Sequence, residues 1–124
     1  MIHVQALDHI VLNVADVERS LAWYCDVLGL PGERVEEWRA GRTFFPSVRI
    51  DASTIIDLFA AERSGENLNH FCVVVESCDL QAVADSGRFD VVDGPAKRWG
   101  ARGDGTSLYV RDPDGNTVEL RCYD

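Results

Sequence analysis

Leu7-Asp8-His9-Ile10-Val11-Leu12-Asn13-Val14 is answered later in the chain by Leu68-Asn69-His70-Phe71-Cys72-Val73-Val74-Val75. In each stretch a short polar residue and a histidine open an apolar run of strand type. Each histidine also has a carboxylate downstream. For His9 it is Asp57, in Thr54-Ile55-Ile56-Asp57-Leu58-Phe59; for His70 it is Glu119, in Thr117-Val118-Glu119-Leu120. The two spacings agree to within one residue. A His-to-carboxylate spacing repeated across both halves predicts a duplicated chain with one pair of metal ligands per half.

The elements around these runs repeat as well. Residues 5–14 read as a strand, and Asp16 as the N-cap of an amphipathic helix over Val17–Leu28 that buries Leu21, Tyr24, Cys25 and Leu28. Gly29 is the expected helix stop. Strands follow at Gly32–Arg39, Thr43–Ile50 and Thr54–Phe59, with turns at Ala40-Gly41 and Asp51-Ala52-Ser53. Pro46 marks the middle strand as an edge or a bulge. After the polar connector 61–67, the order returns: a strand over Leu68–Glu76, a helix over Asp79–Ser86, and strands near Phe89–Gly94, Ser107–Arg111 and Asn116–Tyr123. Asp112-Pro113-Asp114-Gly115-Asn116 is the expected hairpin turn between the last two. Each half reads β-α-β-β-β. The expectation is one α+β domain over 1–124, with module one at about 1–60 and module two at about 68–124.

Strand alternation assigns faces. His9 shares a face with Val11 and Asn13, opposite Ile10, Leu12 and Val14. His70 shares one with Cys72 and Val74, opposite Phe71, Val73 and Val75. Thr117, Glu119, Arg121 and Tyr123 oppose Val118, Leu120 and Cys122. Helices are expected to cover the aliphatic face, while the polar face lines a cavity.

Composition excludes several function classes. The net charge of −9 repels phosphate backbones and acidic lipid surfaces, so neither nucleic acid nor a membrane is an expected partner. No apolar run approaches the ~20 residues of a membrane span, and no basic-then-apolar leader opens the chain. Cys25, Cys72, Cys78 and Cys122 lack zinc-finger or C-x-x-C spacing, which predicts reduced thiols in a cytoplasmic protein.

Three blocks carry a family resemblance: residues 7–24, including Ala22-Trp23-Tyr24; Asn69-His70-Phe71; and Leu108-Tyr109-Val110-Arg111-Asp112-Pro113-Asp114-Gly115-Asn116-Thr117-Val118-Glu119-Leu120. With Leu28-Gly29-Leu30 between them, they make the chain resemble the vicinal oxygen chelate superfamily. That superfamily includes glyoxalase I, fosfomycin thiol transferases, extradiol dioxygenases and bleomycin-binding proteins. The resemblance implies two βαβββ modules forming a curved mixed sheet around a metal and substrate cavity. It places the ligand positions at His9, Asp57, His70 and Glu119. The implied cofactor is one divalent metal ion, with Zn, Ni, Co, Mn and Fe all suited to this donor set.

The likeness is greatest to small glyoxalase-like proteins, so the implied activity is a lyase or isomerase reaction on a small vicinal-oxygen substrate. The metal would chelate two oxygens and stabilise the charge that develops on proton loss. Glu119 is the expected base, because its longer side chain can swing off the metal; Asp57 is second. Asp57 is a methylene shorter than the glutamate usual there. An anionic substrate, a thiol adduct among the candidates, would meet Arg111 and Arg121 as carboxylate binders, with Tyr109 close by. Lys97, Arg98 and Arg102 surround Trp99 in a Gly-rich segment that reads as a lid. Trp23 and Tyr24 read as core residues, and Trp38 as a cavity wall or dimer contact. A homodimer is expected from the resemblance alone. His9, His70 and Glu119 also match the triad of the fosfomycin-type thiol transferases and the extradiol dioxygenases. A metal-free drug-binding protein of bleomycin type is the alternative of another class.

Overall fold

The computed structural model describes residues 1–27, 29–111 and 117–124. The expected 112–116 hairpin turn therefore lies outside the described residues, as does Leu28. The chain divides into two compact units, residues 9–69 and residues 1–8 with 70–124.

The first unit takes His9 onward from strand β1 (Val4–Val14). Asp16 then caps α1 (Val17–Leu21), its carboxylate accepting from the Arg19 N–H. A short polar acceptor at this point satisfies an amide that the first helical turn leaves unpaired. The predicted helix does not continue in α form; Ala22–Val27 winds as a wider π-helical segment. Next come β2 (Gly32–Glu33), α2 (Val35–Arg39), β3 (Ser47–Arg49) and β4 (Ile55–Ala60).

The expected strand over Gly32–Arg39 is thus mostly a helix. Val35 and Trp38 are three apart, a helical spacing, and both pack against the unit's core. Arg39 bonds Glu36 one turn back and Glu18 on α1, which ties the helix down. Pro46 precedes β3 rather than lying within it, since proline has no N–H for a ladder.

Strand order in this unit is β2-β3-β4-β1. Strands β1 and β4 are parallel, with Val11 opposite Asp57, and β3 is antiparallel to β4, with Ser47 opposite Asp57. Val17, Leu21, Val48 and Leu58 form the core, with Tyr24, Cys25 and Trp38 packed against it. Trp23 departs from expectation: it is half exposed, edge-on to Tyr24.

The second unit repeats the order. It takes all but the first two residues of β5 (Leu68–Val75), then α3 (Leu80–Asp85), β6 (Asp90–Gly100), β7 (Gly103–Arg111) and β8 (Thr117–Cys122). Asp79 caps α3 by accepting from the Gln81 and Ala82 N–H groups. Strand order is β6-β7-β8-β5. In both units the strands stand second, third, fourth, first, with the first and fourth parallel. Residues 1–8 belong here, and the Glu76 N–H donates to the His3 carbonyl.

Val118, Leu120 and Cys122 of β8 join Val73 and Val75 of β5 in a core closed by Leu80 and Val83 of α3, as alternation predicted. The segment expected as a lid is instead the tip of the β6–β7 hairpin, with Lys97 opposite Thr106 and Gly100 opposite Gly103. None of the four cysteines is in a disulfide. No helix among the described residues is long and apolar enough to cross a membrane. The architecture is α+β, built from two βαβββ modules.

Candidate functional site

Each unit brings its own histidine to its own carboxylate. In the first, β1 and β4 set His9 Nε2 3.8 Å from Asp57 Oδ2, both side chains buried. In the second, β5 and β8 set His70 Nε2 3.1 Å from Glu119 Oε1, with Glu119 fully buried and His70 nearly so. Parallel pairing of the first and last strand in each unit aligns residues that lie about fifty positions apart in the chain.

Sequence reading missed the second partner of each carboxylate. The Ser47 hydroxyl donates to Asp57 Oδ1 at 2.5 Å, and the Ser107 hydroxyl to Glu119 Oε2 at 2.7 Å. Both serines are fully buried. A signal existed: Ser47 lies 10 residues before Asp57, and Ser107 lies 12 before Glu119.

Arg121, expected as a binder of a substrate carboxylate, here engages a carboxylate of the protein itself. Its side chain is completely buried. Nε and Nη2 donate to Glu119 Oε2 at 3.3 and 3.1 Å; Nη2 also donates to the Trp99 carbonyl, and Nη1 to the Arg98 and Gly103 carbonyls. Asp8 Oδ2 stands 3.9 Å from Nε, and Asp8 accepts from the Tyr123 hydroxyl at 2.6 Å and the Ala101 N–H at 3.1 Å. Burial opposes the charge on Arg121, but Glu119 leads several negative neighbours that outweigh it and raise its pKa. Ser107 and Arg121 together donate to Glu119 Oε2.

Tyr109 does belong with this group. Its ring meets His70 edge to face at 5.5 Å between centroids. Burial, followed by the charge of Glu119, raises its phenol pKa above the ordinary 10.0. The other expected substrate contacts are not gathered here. Lys97 is exposed and pairs with Asp104 across the hairpin at 3.4 Å. Arg102 lies over the Tyr123 ring, its Cζ 4.4 Å from the centroid. Arg111 is exposed at the end of β7.

The donor chemistry fits a divalent cation. Imidazole nitrogen and carboxylate oxygen suit the first-row metals and zinc. Two donors that each bind one ion at ~2.1 Å stand roughly 3 to 3.5 Å apart. The His70–Glu119 separation of 3.1 Å lies in that range, and the His9–Asp57 separation of 3.8 Å just above it.

Residues 6–120 match the family model of the Glyoxalase/Bleomycin resistance protein/Dioxygenase superfamily, and the chain belongs to that family. It is 27% identical over 123 residues to the virulence protein STM3117 of Salmonella typhimurium, covering 97% of this chain and 85% of that one. It is 28% identical over 127 residues to a "probable lactoylglutathione lyase" of Synechocystis, covering 90% and 91%. Among solved structures, the Mn(II)-bound glyoxalase of Novosphingobium aromaticivorans shares the fold, with a TM-score of 0.72 at 19% identity, over 98% of this chain and 40% of that one.

Proposed function

We propose that this protein is a divalent-metal-dependent lyase or isomerase of glyoxalase type, acting on a small substrate with two neighbouring oxygens. The observation that carries the reading is the duplicated pair: a buried His9 and a partly buried His70, each beside a buried carboxylate of its own unit. The ligand residues are His9, Asp57, His70 and Glu119. A bound cation would draw electron density from the substrate oxygens and stabilise negative charge as a proton leaves carbon. Glu119 is the carboxylate we assign to the proton transfer, with Asp57 second. Ser107 and Arg121 hold Glu119 in one orientation, which favours a fixed acceptor over a mobile one. Tyr109, beside His70, is the residue we assign to substrate contact. The exposed Lys97, Arg102 and Arg111 supply positive charge that would attract an anionic substrate. The family resemblance extends the proposal to a cytoplasmic homodimer.

Elemental analysis of the purified protein beside His9→Ala tests this reading, together with an isomerisation assay on thiol–2-oxoaldehyde adducts. Near-stoichiometric metal that falls in His9→Ala, with turnover falling alongside, supports it. A folded wild type that stays empty after incubation with Zn, Ni, Co, Mn and Fe overturns it, and a metal-free binding protein becomes the better account.

A further inference from the structure

Both units treat their carboxylate in the same way. In the first, one oxygen of Asp57 accepts from the buried Ser47 hydroxyl and the other faces His9 Nε2. In the second, one oxygen of Glu119 accepts from the buried Ser107 hydroxyl and the other faces His70 Nε2. The serines occupy the third strand of each unit, β3 and β7, next to the strand that bears the carboxylate.

The registers differ by two residues. Ser47 stands directly opposite Asp57, whereas Ser107 stands opposite Arg121, two residues beyond Glu119. The longer glutamate reaches diagonally to a serine that the shorter aspartate meets head-on. The same hydrogen bond is therefore made with two side-chain lengths from two registers. A contact reached by two different routes points to a shared requirement rather than to an accident of packing.

We propose that Ser47 and Ser107 are positioning residues that select which oxygen of each carboxylate is offered as a ligand. Each hydroxyl engages the far oxygen, so the near one is presented beside the histidine. The proposal rests on the metal-centre reading of Asp57 and Glu119. Without the hydroxyl the Asp57 carboxylate can rotate, and the oxygen facing His9 is no longer defined; Glu119 loses one of the groups that hold Oε2.

The test is Zn²⁺ affinity of the metal-stripped protein, read by competition with a chromophoric chelator, for wild type, Ser47→Ala and Ser107→Ala. Losses at such outer positions run about 10- to 100-fold. Ser107→Ala belongs at the lower end, because Arg121 keeps hold of Glu119 Oε2. Ser47→Thr, which keeps the hydroxyl, should return affinity toward wild type. In an Asp57→Ala background, Ser47→Ala should cause no further loss. Melting curves of the metal-free variants establish that each is folded. If wild type binds Zn²⁺ and both folded alanine variants bind it equally well, the positioning role is wrong while the metal reading stands. An equal loss from Ser47→Ala with and without Asp57 would likewise remove it. A wild type that binds no metal defeats the underlying reading instead.

Discussion

Arg121 shows how one side chain can organise a neighbourhood. Its guanidinium faces two buried carboxylates, Glu119 and Asp8, and donates to three backbone carbonyls. A planar fork with five donors is suited to that number of acceptors, and lysine is not. Arg121→Met should destabilise the protein by about 3–5 kcal/mol, the cost of removing one partner from a buried ion pair. Urea denaturation measures this. A loss below about 1 kcal/mol, the scale of a surface pair, would mean the network carries little.

At the scale of elements, the β6–β7 hairpin is shaped by what lies beneath it. A Cβ on Gly100 would stand 2.6 Å from the Tyr123 hydroxyl and 2.7 Å from both Arg121 Cζ and Asp8 Oδ2. A Cβ on Gly105 would stand 2.9 Å from Arg121 Nη1. The glycines let two strands close over a buried cation, so the Gly-rich stretch marks a tight backbone approach rather than a lid. Gly100→Ala should cost about 1–3 kcal/mol through overpacking. Gly65→Ala, with nothing within 4 Å of the added carbon, is the control and should stay within about 0.5 kcal/mol. Equal thermal melting of the two variants would remove this account.

For the whole molecule, two thiols and two phenols are displaced in the same direction. Burial pushes the Cys25 and Cys78 thiols above 9.0, and it pushes the Tyr109 and Tyr123 phenols above 10.0. In each case the unfolded chain gives up its proton at lower pH than the folded one. Above the unfolded value, ionisation therefore favours unfolding. The stability these groups contribute is fully present below about pH 9 and is lost progressively as the pH rises through 9 and 10 toward the folded values. Denaturant midpoints under reducing conditions should fall between pH 8 and pH 10.5, with a smaller fall in a Tyr109→Phe/Tyr123→Phe variant. A midpoint that held constant or rose would contradict the shared sign.

The sequence by itself determined the duplicated βαβββ order, the strands bearing His9, Asp57, His70 and Glu119, and the aliphatic face of β5 and β8. These follow from alternation and repeat spacing, which are local properties written along the chain. It misjudged Val35–Arg39, because a short apolar pattern serves helix and strand alike until tertiary packing chooses between them. The contacts of Arg121 were not legible for a related reason: alternation gives a side chain's face but not whether that face meets solvent or a buried carboxylate. Ser47, Ser107 and Asp8 became meaningful only in the tertiary structure. Their partners are set by strand register and by backbone approach at glycine, and neither is written in the spacing of any one segment.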